Sequence, residues 1–182
     1  MLAGCGEDQA DDPGAATSQA SAAAPSLEEP TAPTSSGEPE ACAKVLSDEA
    51  FRAMGWATDE AASAPTAGRC ARTAPQGSLT VHVKATPGDA GAEFDTECKA
   101  LRGDAGDVGA DLGFIDTDAE LCGRLPERSA EVGPVEIYAH TADDRLIVFL
   151  GAVLEATDRA ALEKGLEPVV VAAVDDTGFD VG

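Results

Sequence analysis

Basic residues are missing from the first 40 positions, and across all 182 residues only 12 Lys and Arg stand against 34 Asp and Glu. The net charge is −22, divided as −8 over residues 1–40 and −14 over 41–182. No basic stripe interrupts this field, which repels phosphate backbones and anionic headgroups, so neither nucleic acid nor direct electrostatic membrane binding is expected. Aromatics are scarce, at 4% of residues. The longest apolar runs fall far short of the roughly 20 residues that a membrane-crossing helix needs. No Cys-x-x-Cys pair occurs, and the only histidines, His82 and His140, stand singly in strand-like segments, so a zinc site lacks its ligand spacing. A Gly-x-Ser-x-Gly elbow and a Gly-x-x-x-x-Gly-Lys loop are also absent. A serine hydrolase and a phosphate cradle are therefore poorly supported, and no catalytic residue, metal ligand or cofactor is assigned.

What is present begins at Leu2-Ala3-Gly4-Cys5. This run resembles the lipobox of bacterial lipoproteins, in which small residues fit a membrane-embedded peptidase and the cysteine sulfur receives a diacylglycerol. The resemblance implies lipidation of Cys5 and attachment to the outer side of the cell membrane. A basic and apolar export leader is then expected upstream of Met1.

Residues 6–40 are built from Ala, Pro, Ser, Thr, Gly, Glu, Asp and Gln, with Leu27 the one large apolar side chain. Burial cannot offset the entropy of ordering such a segment, so it reads as a disordered acidic tether with a reach on the order of 30 Å. Residues 41–182 read as a single domain, taken to be monomeric.

Five cysteines are present: Cys5, Cys42, Cys70, Cys98 and Cys122. Assigning Cys5 to lipid leaves four, the even number that two disulfides require, with three possible connectivities. Sequential pairing, Cys42–Cys70 and Cys98–Cys122, closes the shortest non-overlapping loops, of 27 and 23 intervening residues, and is the expected one. Two bridges suit an oxidising compartment.

The periodicity of the domain predicts an α+β fold, a mainly antiparallel sheet of about four to five strands packed by helices. Ser47 caps a helix through Phe51 and Met54 that stops at Gly55, and residues 57–68 read as a loop. A short strand opens at Arg69-Cys70, and a second follows from Leu79 to Ala85, where Leu79, Val81 and Val83 alternate with Thr80, His82 and Lys84. Both histidines thus read as solvent-facing strand residues. Phe94, Cys98 and Leu101 place Cys98 on the buried stripe of a helix between Gly91 and Arg102. The segment 103–113 reads as a loop, with Phe114-Ile115 a brief strand beyond it. A hairpin follows, in which Val135, Ile137 and Ala139 alternate, Asp143-Asp144 turn the chain, and Leu146 to Leu150 form a central strand covered on both faces. A helix capped at Thr157-Asp158 and running to Asp175 closes the domain, kinked or divided at Pro168.

This order of elements resembles uncharacterised actinobacterial lipoproteins that carry a domain of unknown function. The matching residues are Leu2 to Cys5, Cys42 to Glu49, Gly68-Arg69-Cys70 and Ser78 to Val83. The resemblance implies a sheet packed on one side by helices and carries no established activity.

One constellation is suggestive: Asp104, Asp107 and Asp111 among glycines, then Asp116, Asp118 and Glu120. Oxygen-rich loops suit calcium, but the spacing misses the EF-hand pattern, and a solvated acidic loop is the expectation. Three functional readings follow, the last of them a purely structural domain. The first is an exported, lipid-anchored surface protein whose non-enzymatic domain binds an envelope protein or a small ligand. The second is an accessory enzyme or factor of cell-envelope metabolism with its site in the acidic loop.

Overall fold

In the computed structural model, residues 38–66, 68–105, 111–127 and 131–176 are described. Helices α1 (Glu38–Val45) and α2 (Asp48–Ala53) lead into strands β1 (Ser63–Thr66), β2 (Arg69–Ala74) and β3 (Gly77–Lys84). Helix α3 (Ala90–Ala105) then precedes β4 (Glu120–Arg124), β5 (Gly133–His140), β6 (Leu146–Val153) and α4 (Arg159–Asp175). The strands form one antiparallel sheet in the order β1-β2-β3-β6-β5-β4. The fold is the expected α+β, with six strands among the described residues in place of four to five. The added strand is β1, a short, irregularly registered edge inside the segment read as a loop. Its sequence, Ser-Ala-Pro-Thr, has no hydrophobic alternation to announce it.

Period-two patterning accounts for the layering. Leu79, Val81, Val83, Val135, Ile137, Ala139, Ile147 and Phe149 enter one core with Leu162, Leu166, Val169, Val170 and Ala173 of α4 and with Val45, Leu46, Phe51 and Met54 around α1 and α2. The opposite parity, Cys122, Tyr138, Leu146 and Val148, meets Ala90, Phe94, Cys98 and Leu101 of α3 in a second core. Helices therefore lie on both faces, which corrects the one-sided packing. The apolar run at Leu146–Phe149 requires this, because its even-numbered residues need cover as much as its odd-numbered ones.

Other boundaries also move. A first helix, α1, holds Cys42 ahead of Ser47, while Ser47 caps α2 as expected, accepting from the Ala50 amide at 3.2 Å. The helix after Gly91 extends to Ala105, so Gly103 is helical. Phe114 and Ile115 sit in a turn, and the strand lies later, at β4, where Cys122 itself pairs with Tyr138. Pro168 lies within one continuous helix. It is exposed, so the carbonyl one turn earlier that loses its partner faces water.

An arginine is enclosed where the α1–α2 layer meets the sheet. Arg72 of β2, only 3% exposed, donates to the Leu46 carbonyl at 2.8 Å, the Asp48 carboxylate at 2.6 Å and the Thr58 carbonyl at 3.3 Å. Trp56 packs edge-on to Phe51, and its indole N–H donates to Thr157 Oγ1 at 3.1 Å.

Candidate functional site

The four domain cysteines pair as Cys42–Cys70, with Cα atoms 5.1 Å apart, and Cys98–Cys122, 5.8 Å apart. Both separations are ordinary for a disulfide. The first bridge ties α1 to β2 on the face that α4 covers, and the second ties α3 to β4 on the opposite face. Cys5 and most of the tether lie outside the described residues.

The histidines depart from the solvent-facing expectation. Both are half-buried. His140 ends β5, its Nδ1 3.2 Å from Glu120 Oε2 and its Nε2 3.2 Å from Asp144 Oδ1. Its ring stacks obliquely on Phe94, with centroids 5.8 Å apart. A β-carbon at Gly91 would stand 3.1 Å from His140 Cε1 and 3.1 Å from Asp89 Oδ1, so the missing side chain of Gly91 makes room for the ring. Partial burial lowers the His140 pKa, but the hydrogen bonds and charges of Glu120 and Asp144 outweigh it, and the net shift is upward. The geometry explains the sign. The two carboxylates sit on opposite ring nitrogens, and only imidazolium can donate to both at once.

His82, on β3, shifts in the other direction. Burial, then the nearby charges of Arg69 and Lys84, lower its pKa, and its buried Nδ1 has no hydrogen-bond partner. Lys84 is itself held by Glu93 at 2.6 Å and Glu97 at 2.5 Å, which pin α3 over the sheet and raise the lysine's pKa.

The acidic segment does not come together as one site. Asp104 falls within α3 and Asp107 lies outside the described residues. Asp111 accepts from the Gly113 amide at 3.0 Å, Asp116 and Asp118 are exposed, and Glu120 leaves the segment to bond His140 from β4. Among the described residues, no group of three His, Cys, Asp or Glu is placed to hold a metal ion. Asp143 and Asp144 diverge as turn residues do. Asp143 accepts from Thr141 and Arg145, which hold its pKa low, while Asp144, at φ +60°, reaches back to His140.

A different surface emerges on the α3 side of the sheet. Beyond Leu146 and Val148, which α3 covers, the same face of β6 continues as Leu150, 39% exposed, and Ala152, and alternation carries it on to Leu154, 59% exposed. Alongside, β5 presents Pro134 opposite Ala152, and Val132, 58% exposed, precedes the strand. On β3, Thr80 lies opposite Leu150 and Ser78 opposite Ala152, both half-buried. Leu150 thus breaks the expectation of a run covered on both faces through position 150. The apolar run ends in Gly151-Ala152, where the residues stop being large, and that was the signal available in the sequence.

No family model, no characterised protein and no solved structure matches this chain.

Proposed function

We propose that this chain is an exported protein, anchored by lipid on Cys5 to the extracytoplasmic face of the cell membrane, and that its domain is a non-enzymatic binding module for an envelope partner. The observation that carries the reading is the pair of disulfides, one on each face of the sheet. Such bridges persist in oxidising compartments and are rare where thiols are kept reduced. The fifth cysteine stands in Leu2-Ala3-Gly4-Cys5, and the likeness to actinobacterial lipoproteins supports the same address. For binding, the uncovered part of the sheet face offers apolar area on a scaffold braced by its two bridges. Glu120 and Asp144 lie beside the two ring nitrogens of His140, so both nitrogens already have carboxylate partners within the domain.

Expression from the native gene with alkyne-palmitate labelling tests the address. The wild-type chain should take up label in the membrane fraction, and Cys5→Ala should not. A labelled Cys5→Ala chain, or free thiols at the four domain cysteines, would overturn it. The binding role is tested by photo-crosslinking in intact cells from position 150, with position 99, on the exposed side of α3, as the control. Adducts specific to position 150 are expected.

A further inference from the structure

We infer that the uncovered part of the sheet face, centred on Leu150, Ala152 and Leu154 with Val132 and Pro134 beside them, docks a basic protein segment that has an apolar face. This rests on the reading of the domain as a binding module and specifies the chemistry of the partner. Among the described residues, the exposed large hydrophobic side chains are Val132, Leu150 and Leu154. They are not scattered. The β5–β6 register sets Gly133 against Val153 and Pro134 against Ala152, so Val132 and Leu154 each adjoin the last paired position. Isolated apolar residues on a surface are ordinary, whereas a contiguous strip marks an interaction site.

The charge around the strip selects the partner. Glu127 and Glu155 are exposed at its margin, and Glu136 lies within it, opposite Leu150. Arg124, on the neighbouring strand, donates to Glu136 at 3.0 Å, so this pair adds no net charge to the strip. A second copy of the chain would bring another −22 against this rim. Anionic headgroups would meet the same repulsion. Lysine or arginine flanking an apolar face gains from Glu127 and Glu155 and from the chain's net charge of −22. The strip also lies on the face of the sheet and not at its edge, so contact is made by side chains and not by an added strand. Ser78 and Thr80 on β3 are small enough to let a partner approach closely.

The test titrates an amphipathic leucine–lysine peptide into the full chain and follows backbone amide shifts by NMR. A leucine–glutamate peptide and a serine–lysine peptide serve as controls. Only the leucine–lysine peptide should bind, with shifts concentrated at Val132, Leu150, Ala152 and Leu154. The double variant Leu150→Ser/Leu154→Ser should weaken it by about tenfold or more. Both side chains are exposed, so this variant should keep the wild-type unfolding midpoint. Added salt should weaken binding to the wild type, and less so to Glu127→Gln/Glu155→Gln. Equal binding of the serine–lysine peptide, or shifts spread over the whole acidic surface, would overturn the inference by leaving charge alone as the cause. So would dimerisation through these residues, or adsorption through them to phosphatidylglycerol vesicles. A partner crosslinked at position 150 in cells that proves acidic or neutral would sink this inference and leave the binding role standing, whereas loss of lipid labelling would sink the address alone.

Discussion

The Arg72 guanidinium stands 4.5 Å above the centre of the Phe51 ring while it donates to the carbonyl of Leu46, so one side chain of β2 holds the turn between α1 and α2 by both stacking and hydrogen bonding. Removing it leaves two backbone carbonyls, of Leu46 and Thr58, without their donor, while the exposed Asp48 carboxylate regains water. Arg72→Ala should lower stability by roughly 3 kcal/mol, mostly from the stranded carbonyls and lost packing. Arg72→Lys should recover only part of this, since an ammonium lacks the planar fork that serves several acceptors while stacking. Urea unfolding midpoints at constant slope measure both.

Each disulfide should contribute about 3 kcal/mol by restricting the unfolded chain, given sequence separations of 28 and 24. The bridges join different helices to different faces and share no described core cluster, so the losses in Cys42→Ala/Cys70→Ala and Cys98→Ala/Cys122→Ala should add in the quadruple variant. Thermal unfolding of the three variants checks this, and a marked departure from additivity would show that the two cores are coupled.

The histidines should give stability opposite pH dependences. For His140, the folded pKa lies above the unfolded value near 6.5, so its contribution is complete below that value and is lost as pH rises through the folded pKa. For His82 the folded pKa is depressed, so keeping it neutral costs nothing above about 6.5 and destabilises the fold as pH falls. His140→Asn should therefore flatten the alkaline side of the stability profile, and His82→Asn the acidic side. NMR titration of the ring protons reads the two values directly, and His140 titrating below His82 would refute the assignment.

Gly165 of α4 packs directly against the end of α2. A β-carbon there would stand 2.5 Å from the Ala50 carbonyl oxygen and would also collide with Met54. Gly165→Ala should destabilise by about 2 kcal/mol, because backbone displacement outweighs the roughly 1 kcal/mol that alanine gains in helix propensity. A calorimetric midpoint above that of the wild type would show that the helices can part more easily than their packing implies.

Much of this fold is legible in the sequence wherever a period is strict. The alternation from Leu79 to Lys84 gives β3 its inward face, and the i, i+4, i+7 spacing of Phe94, Cys98 and Leu101 gives α3 its buried stripe and the inward direction of its cysteine. Once Cys5 is set aside for lipid, the shortest non-overlapping loops give the disulfide partners. What was not legible is long-range pairing. Nothing local marks β1, which exists because β2 offers it an edge, or places Cys122 within a strand. The side of the sheet that α3 covers is likewise fixed by tertiary packing. The candidate site was hidden for the same reason: Leu150 reads as the end of a buried strand, and only the extent of α3's cover leaves it uncovered. His140 looked like any outward strand residue because Glu120, Phe94 and Gly91 are distant in sequence.

The bridge from Cys42 also governs how the domain carries load. A chain entering at Glu38 meets a covalent branch only four residues into α1, at the cysteine joined to Cys70. Tension applied from the amino-terminal side would leave α1 at that point and pass through the sulfurs into β2, which is laddered to β1 on one side and β3 on the other. Val45, Leu46 and the whole of α2 lie inside the closed loop, sheltered from the pull. Whatever holds the amino-terminal segment can tug on this domain and unwind at most the first turn of its first helix before the force is borne by the sheet.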